Sequence, residues 1–379
     1  THKMSQTKVE APFVENNTPF RNMITNGDMQ VSQRGTSFAS LGNGDGGTYT
    51  LDRYGFHEEG DFGAAEATVS QDTDVPTGEG FAKSLKVVCA TVDTSIATNT
   101  INYISQKFEG QMLQHLAKGT SSAKSTTLSF WCKSNLTSTF TINFIDQDNT
   151  RMFSTSYSLA SANTWEKITI NVPADTTGAL DNDNASSYRI NWNLQAGTDK
   201  TGGALTTAWE AQAEGDRAVG QTNFYSSTDN NWYITGVQWE VGDAATDFER
   251  LPHDVQLTRC CRYYWKPVQG NVSTSEYVGL GDFYASNQVD TDFRHITPMR
   301  TQPTLDQGTG TDYYKYYYGQ TADGTVDGSW TYWIGNEHIS SIYATASDAV
   351  GTSNAGKACR IIAQTTGGAN AYIALNAEL

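Results

Sequence analysis

The sequence has few charged residues, no cluster of cations and no long apolar run. Charged residues make up 17% of the 379-residue chain, and the formal net charge is −16. Nucleic-acid binding requires clustered Lys and Arg that displace counterions from phosphates, and such clusters are absent from the sequence. No apolar run approaches the roughly 18–20 residues that span a bilayer. We therefore expect neither a nucleic-acid partner nor membrane insertion.

The common sequence motifs of cofactor, metal and catalytic sites are also missing. The five cysteines show no CxxC spacing, and the six histidines form no HExxH motif. A GxGxxG match at Gly42–Gly47 is followed by the strand-like run Thr48–Leu51 and not by the helix that would bind a pyrophosphate. The sequence thus predicts no cofactor, no metal and reduced thiols. A glycan-cleaving site remains open, because it needs only two carboxylates that meet in space.

Glycine, β-branched residues and aromatics dominate what is present. The chain has 34 glycines and only 8 prolines, and 11% of its residues are aromatic, a composition typical of short strands and tight turns. Apolar residues alternate with polar ones along 140–144, 168–172 and 188–194, which predicts strands buried on one face. Such strands, separated by turns, indicate two antiparallel sheets packed face to face. Residues 197–221 are predicted to be a long loop that could fold over a sheet face.

The stretch NNWYITGVQWEVGDAATDFERLP, residues 230–252, is the most informative part of the chain. It predicts a two-sided strand with a slip at Gly236, where a bulge is expected, followed by a turn at Gly242 and a stop at Pro252. This stretch, the opening NMITNGDMQVSQRG at residues 22–35 and the run CCRYY at residues 260–264 resemble the carbohydrate-binding-module-like jelly roll of bacteriophage tail-fibre and other virion proteins. The resemblance covers about residues 22–379.

The resemblance implies an all-β fold, a jelly-roll β-sandwich followed by a second, smaller β domain. Residues 1–21 have a single apolar cluster and cannot form a core, so they are expected to be an N-terminal docking arm, with a disordered tail as the alternative. The resemblance divides the rest of the chain into the jelly roll (22–255) and a C-terminal β domain (256–379). It also implies a virion protein made in the host cytoplasm, which binds other virion proteins through the arm. We expect a homotrimer, since the aromatic run Tyr313–Tyr318 has more rings than one small domain is expected to bury. Modules of this shape often hold a structural calcium, which would point to Asp28 and Glu240, although Thr235-Gly236 replaces the usual acidic pair.

A glycan-binding surface is predicted in the C-terminal domain, which is nearly neutral while the jelly roll is strongly acidic. Sugar C–H faces stack on aromatic rings, and carboxylates accept hydrogen bonds from sugar hydroxyls. Trp330 and Tyr332 alternate with Trp333, so one face is expected in the core and the other at the surface. The predicted ligand-binding residues are Trp330, Tyr332, Trp333, Asp323 and Asp327.

The sequence therefore favours a non-enzymatic tail fibre or receptor-binding protein that attaches to a host-surface glycan. Two alternatives remain. The first is a capsid decoration or head-fibre protein that binds only virion partners, and the second is a glycan depolymerase.

Overall fold

The computed structural model describes residues 20–42, 44, 47–61, 63–318, 321–346 and 355–379, without the side chains of 321–323 and 327–328. These residues form two units. Unit 1 comprises 20–30 and Thr36–Pro252, and unit 2 comprises Val31–Gly35 and His253–Leu379. The predicted boundary after residue 255 lies within a helix of unit 2, α2 (His253–Cys261). Of the predicted arm, residues 1–19 lie outside the described part of the chain.

Unit 1 is a sandwich of two antiparallel sheets. Its strands are β1 (Ser37–Gly42), β2 (Thr48–Tyr49), β3 (Gly55–Glu59), β4 (Glu66–Asp72), β5 (Ser84–Thr91), β6 (Ile101–Glu109), β7 (Thr126–Ser134), β8 (Thr139–Asp146), β9 (Arg151–Ser158), β10 (Glu166–Val172), β11 (Ser186–Ala196), β12 (Glu210–Ala211) and β13 (Asn231–Val241). Among the described residues, a front sheet has the order β1-β4-β5-β13-β7-β10, and a back sheet has the order β12-β9-β8-β11-β6-β3-β2. The predicted all-β jelly roll is confirmed.

The core between the two sheets is made by the alternating residues that the sequence predicts. Phe144 on β8 and Ile190 on β11 are cross-strand partners and fully buried, as is Cys132 on β7. Burying each such side chain contributes about 1.5–3 kcal/mol. The expectation that these strands are buried on one face only is wrong for β8 and β11. Their outward residues are buried too, because residues 197–221 fold over this face of the back sheet.

The predicted slip at Gly236 is a β-bulge in β13. The register with β7 shifts between Thr235 and Gln238, and Gly236 has a φ of +61°, which favours glycine. The opening segment forms no strand, but its first residues lie against β13. The Met23 amide donates to the Trp239 carbonyl at 2.9 Å, and the Val237 amide donates to the Gly27 carbonyl at 2.9 Å.

The covering segment, residues 197–221, contains the short helix α1 (Thr198–Thr201), strand β12 and a 3₁₀ turn at Glu214–Asp216. Between β6 and β7 the chain makes two 3₁₀ turns, Gly110–Met112 and Gln114–Leu116. No helix among the described residues is long and apolar enough to cross a membrane.

Unit 2 is also built from antiparallel strands. They are β14 (Tyr264–Gln269), β15 (Glu276–Ala285), β16 (Gln288–Arg294), β17 (Thr304–Gln307), β18 (Gly310–Tyr318), β19 (Thr321–Gly328), β20 (Thr331–Gly335), β21 (Ile339–Thr345), β22 (Ala358–Ala363) and β23 (Tyr372–Asn376). Within the described residues, a small sheet has the order β14-β23-β17. A large sheet has the order β19-β18-β22-β15-β16-β21-β20.

The aromatic run on β18 packs largely within unit 2 itself. Tyr314 and Tyr316 are fully buried, and Tyr313 and Tyr318 pack against the same core. Tyr314 and Tyr316 are therefore buried without a second subunit. The most exposed rings described in unit 2 are those of Tyr277, Tyr284 and Trp333, which lie on other strands. The short segment Val31–Gly35 joins this unit, with the Arg34 guanidinium 3.6 Å from the centre of the Tyr264 ring.

Candidate functional site

Three aromatic side chains meet on the outer face of the large sheet of unit 2. The rings of Tyr284 and Trp333 are 5.6 Å apart, and those of Trp333 and Tyr343 are 6.5 Å apart. Tyr284 is 63% exposed and Trp333 is 52% exposed, values that are high for large aromatic residues. We call Tyr284, Trp333 and Tyr343 the aromatic patch.

Strand pairing explains why these rings face outward. On β21, Ile342 and Ala344 point into the core, so Tyr343 between them points out. Tyr332 on β20 is paired with Ile342 and therefore turns inward, but the register shifts between Tyr332 and Ile334. A bulge of this kind redirects side chains, and here Trp333 and the next residue, Ile334, are both exposed.

The predicted site residues do not all lie together. Trp330 is 2% exposed, and its ring packs edge-on against Tyr314 at 5.6 Å, so it belongs to the core and is not available to a ligand. Tyr332 is half-buried and packs against the same core. Only Trp333 of the three rings reaches the surface patch. The side chains of Asp323 and Asp327 lie outside the described part of the structure.

Sequence reasoning missed Tyr284 and Tyr343, which come from strands separated from Trp333 along the chain. The signal was present in β21, where alternation sets Tyr343 apart from Ile342 and Ala344. Alternation does not identify the partners of a strand, so the meeting of the three rings could not be read from it.

Carboxylates lie beside the aromatic patch. Asp282 on β15, Asp290 on β16 and Tyr343 on β21 are successive cross-strand partners, so their side chains project from the same face. Asp290 is 7% exposed, and its Oδ1 accepts a hydrogen bond from Gln288 Nε2 at 2.9 Å. Burial, followed by the nearby charges of Asp282 and Asp292, raises the pKa of Asp290 above its usual value. A ligand ring that stacked on the aromatic patch would thus have the carboxylate oxygens of Asp282 and Asp290 beside it as hydrogen-bond acceptors.

The outer face of the back sheet in unit 1 differs from the face that bears the aromatic patch, because its side chains are polar and buried. It carries small polar side chains such as Asn143, Asn191 and Asn193, and the covering segment lies over it. The Asn143 and Asn193 amides both donate to the Arg217 carbonyl, at 2.5 and 3.2 Å. The Ser154 amide donates to Thr206 Oγ1 at 2.7 Å. This face presents almost none of its polar atoms to solvent.

A charged network ties the covering segment to the sheet. Arg217 is 1% exposed and donates to Glu59 on β3 at 2.5 Å and to Glu214 at 3.1 Å. Burial raises the pKa of Glu59, but the hydrogen bond and charge of Arg217, with Tyr103 and Arg189, outweigh it and bring the pKa to about 2. Burial, together with nearby cations, lowers the pKa of His57 to about 4. This network holds the face closed.

Asp28 and Glu240 do not fit a calcium site. Glu240 accepts hydrogen bonds from the Thr246 hydroxyl at 2.7 Å and from the Gln238 amide at 2.8 Å, and it lies 3.5 Å from Arg21. Asp28 accepts from Gln30 at 2.7 Å. A divalent cation would have to displace these protein donors. No group of three or more His, Cys, Asp or Glu residues suited to a metal occurs in the described part of the chain.

Comparison with known proteins yields structural neighbours only. No protein-family model and no curated protein matches the sequence. The enzymatically active domain of bacteriophage CBA120 tailspike protein 4 is 15% identical, with a TM-score of 0.30, and the match covers 59% of this chain and 22% of that one. This chain therefore spans about a fifth of the length of that neighbour.

Two neighbours are carbohydrate-binding modules. The module CBM4 is 14% identical with a TM-score of 0.30, and the match covers 58% of this chain and 99% of that one. The family 11 module of a Clostridium thermocellum cellulosomal cellulase is 12% identical with a TM-score of 0.27, and the match covers 54% and 94%. Both are similar to this chain in being all-β domains.

Proposed function

We propose that the chain is a virion protein that binds a host-surface glycan through the aromatic patch of unit 2. The observation that carries this proposal is the exposure of Tyr284 and Trp333 beside Asp282 and Asp290 on one sheet face. Exposed rings offer stacking surfaces to sugar C–H groups, and carboxylates accept hydrogen bonds from hydroxyls. The virion role and attachment through residues 1–21 rest on the resemblance of residues 22–35 and 230–264 to phage fibre proteins.

The test is a glycan array probed with the full chain and with single variants. Trp333→Ala and Tyr284→Ala should each weaken binding at least tenfold, because a stacked ring loses its platform. Tyr277→Ala is the matched control, since Tyr277 is 56% exposed on the same strand as Tyr284 but outside the patch. Equal glycan binding by all three variants and the parent chain would show that the aromatic patch is not the binding site.

The same surface also suits the first alternative, a decoration protein whose patch is covered by another virion protein. Locating the chain on purified particles distinguishes glycan attachment from a contact with another virion protein. Accessibility of Trp333 to a water-soluble oxidant on the intact particle supports glycan attachment, whereas protection there supports a virion contact. Light scattering of the isolated protein tests the homotrimer.

Glycan cleavage is a second candidate function, favoured by one observation. Asp282 and Asp290 are direct cross-strand partners, which places their Cβ atoms about 4.5–5.5 Å apart. Retaining glycosidases hold two carboxyl groups at about 5–5.5 Å, a separation that the side chains of cross-strand partners can reach, and the acid needs a raised pKa such as that of Asp290. We propose binding without cleavage. Release of reducing sugar by the parent chain, lost in Asp290→Asn, would establish the depolymerase instead.

A further inference from the structure

A pocket of about 240 Å³ lies on the outer face of the front sheet in unit 1. Its floor forms at the β13 bulge. Gly236 is essential there, since a Cβ at this position would lie 2.6 Å from Cζ of Phe81. The missing side chain lets the Phe81 ring lie directly on the strand.

One wall of the pocket is fixed in place. The rings of Phe81 and Phe248 pack edge to face at 5.1 Å, and the Arg250 guanidinium lies 4.8 Å from the centre of Phe81. Arg250 also donates hydrogen bonds to the carbonyls of Glu79 and Gly80 at 2.5 and 2.8 Å. Arg250 is therefore engaged by the protein and holds the wall rigid.

The pocket is also lined by Trp131 on β7 and Lys167 on β10. They are cross-strand partners, so their side chains are neighbours on the outer face. Trp131 is half-buried and keeps part of its ring open to the pocket, while Lys167 is exposed. The Lys167 side chain makes no hydrogen bond or ion pair with any described residue. Its ammonium group is thus free to meet an anionic group beside an aromatic surface.

We propose that this pocket binds a single pyranose residue that carries a carboxylate. The ring of the sugar stacks on Trp131, and the carboxylate pairs with Lys167. Pockets for drug-sized ligands span roughly 300–1,000 Å³, so the smaller volume here fits one sugar ring and not an oligosaccharide. Asp247, which is exposed, also lines the pocket, and its carboxylate can accept hydrogen bonds from the sugar hydroxyls. The site is separate from the aromatic patch, and its existence does not depend on the function proposed for that patch.

The experiment compares two matched probes, methyl β-D-glucuronide and methyl β-D-glucoside, by protein-observed NMR. The Trp333→Ala chain is used, so that binding at the aromatic patch does not contribute. We expect the glucuronide to bind about tenfold more tightly than the glucoside. Lys167→Gln should bring this ratio close to one, and Trp131→Ala should abolish binding of both probes.

Lys124→Gln, which changes an exposed lysine outside the pocket, is the control and should leave the ratio unchanged. Trp131→Phe, which keeps an aromatic surface, should retain weakened binding and guards against misfolding of Trp131→Ala. The proposal is overturned if neither probe binds the Trp333→Ala chain, if both probes bind it equally, or if the preference for the glucuronide survives when Lys167→Gln is added.

Discussion

The back sheet of unit 1 and the large sheet of unit 2 each have seven strands among the described residues, but their outer faces differ in chemistry and in exposure. The outer face of the back sheet in unit 1 bears amides and hydroxyls and is covered by residues 197–221. The outer face of the large sheet in unit 2 bears the aromatic patch, in which Tyr284 and Trp333 are more than half exposed. The face of unit 1 therefore has many hydrogen-bonding side chains, but the covering segment occupies them. The comparison teaches that the cover over a sheet face, as much as its side chains, decides whether that face can bind a ligand.

Trp330 and Trp333 give the largest expected difference in stability within unit 2. Trp330→Ala should lower the free energy of unfolding by about 3–5 kcal/mol, because a fully buried indole leaves a cavity. Trp333→Ala should change it by less than about 1 kcal/mol, since the ring is half-exposed. Urea denaturation of both variants measures this. Similar losses for the two would mean that the patch is part of the core.

Removing the contacts that hold residues 197–221 on the back sheet should also lower the free energy of unfolding. Arg217→Ala removes the buried partner of Glu59 and Glu214, and we expect a loss of about 3 kcal/mol in the free energy of unfolding. Hydrogen exchange should rise in residues 197–221 of the variant. Arg294→Ala, at an exposed position in unit 2, is the control. Unchanged exchange in the covering segment would show that Arg217 does not hold it down.

Acid should weaken the closed face through Glu59. The pKa of Glu59 is about 2 in the folded protein and near 4.5 when unfolded, so the carboxylate stabilises the fold above pH 4.5. That contribution is lost as the pH falls from 4.5 towards 2. Thermal unfolding at pH 6 and pH 3 should therefore show a smaller acid-induced drop in Tm for Glu59→Gln than for the parent. An identical drop in both would contradict this role.

The charge of Asp290, beside the aromatic patch, should destabilise the fold at neutral pH, whereas the charge of Glu59 stabilises it. This is the smallest of the expected effects. The raised pKa of Asp290 means that the charged form is disfavoured in the folded state, a cost that is present at neutral pH and absent below about pH 3.8. Asp290→Asn keeps an oxygen that can accept from Gln288. We expect this variant to have a slightly higher Tm at pH 7 and an unchanged Tm at pH 3. A lower Tm at pH 7 would contradict the expected sign.

Much of the fold could be predicted because strand alternation is a local property. Phe140, Ile142 and Phe144 on β8 are buried as their spacing predicts, and the bulge at Gly236 follows from a break in the alternation of β13. The candidate site was predicted less completely. Trp333 was included among its residues, but Trp330 lies in the core, and Tyr284 and Tyr343 were missed because they join the patch only through strand pairing.

The sequence by itself determined the class of fold, the identity of most core side chains and the place of the bulge, because each depends on residues near one another in the chain. Tertiary structure alone decided which face of residues 330–333 meets solvent, that residues 197–221 cover the back sheet, and that Trp131, Lys167 and Phe248 line one pocket. The physical reason is register. A shift of one residue in strand pairing moves every side chain to the opposite face, and the alternation within a single strand does not specify its neighbours.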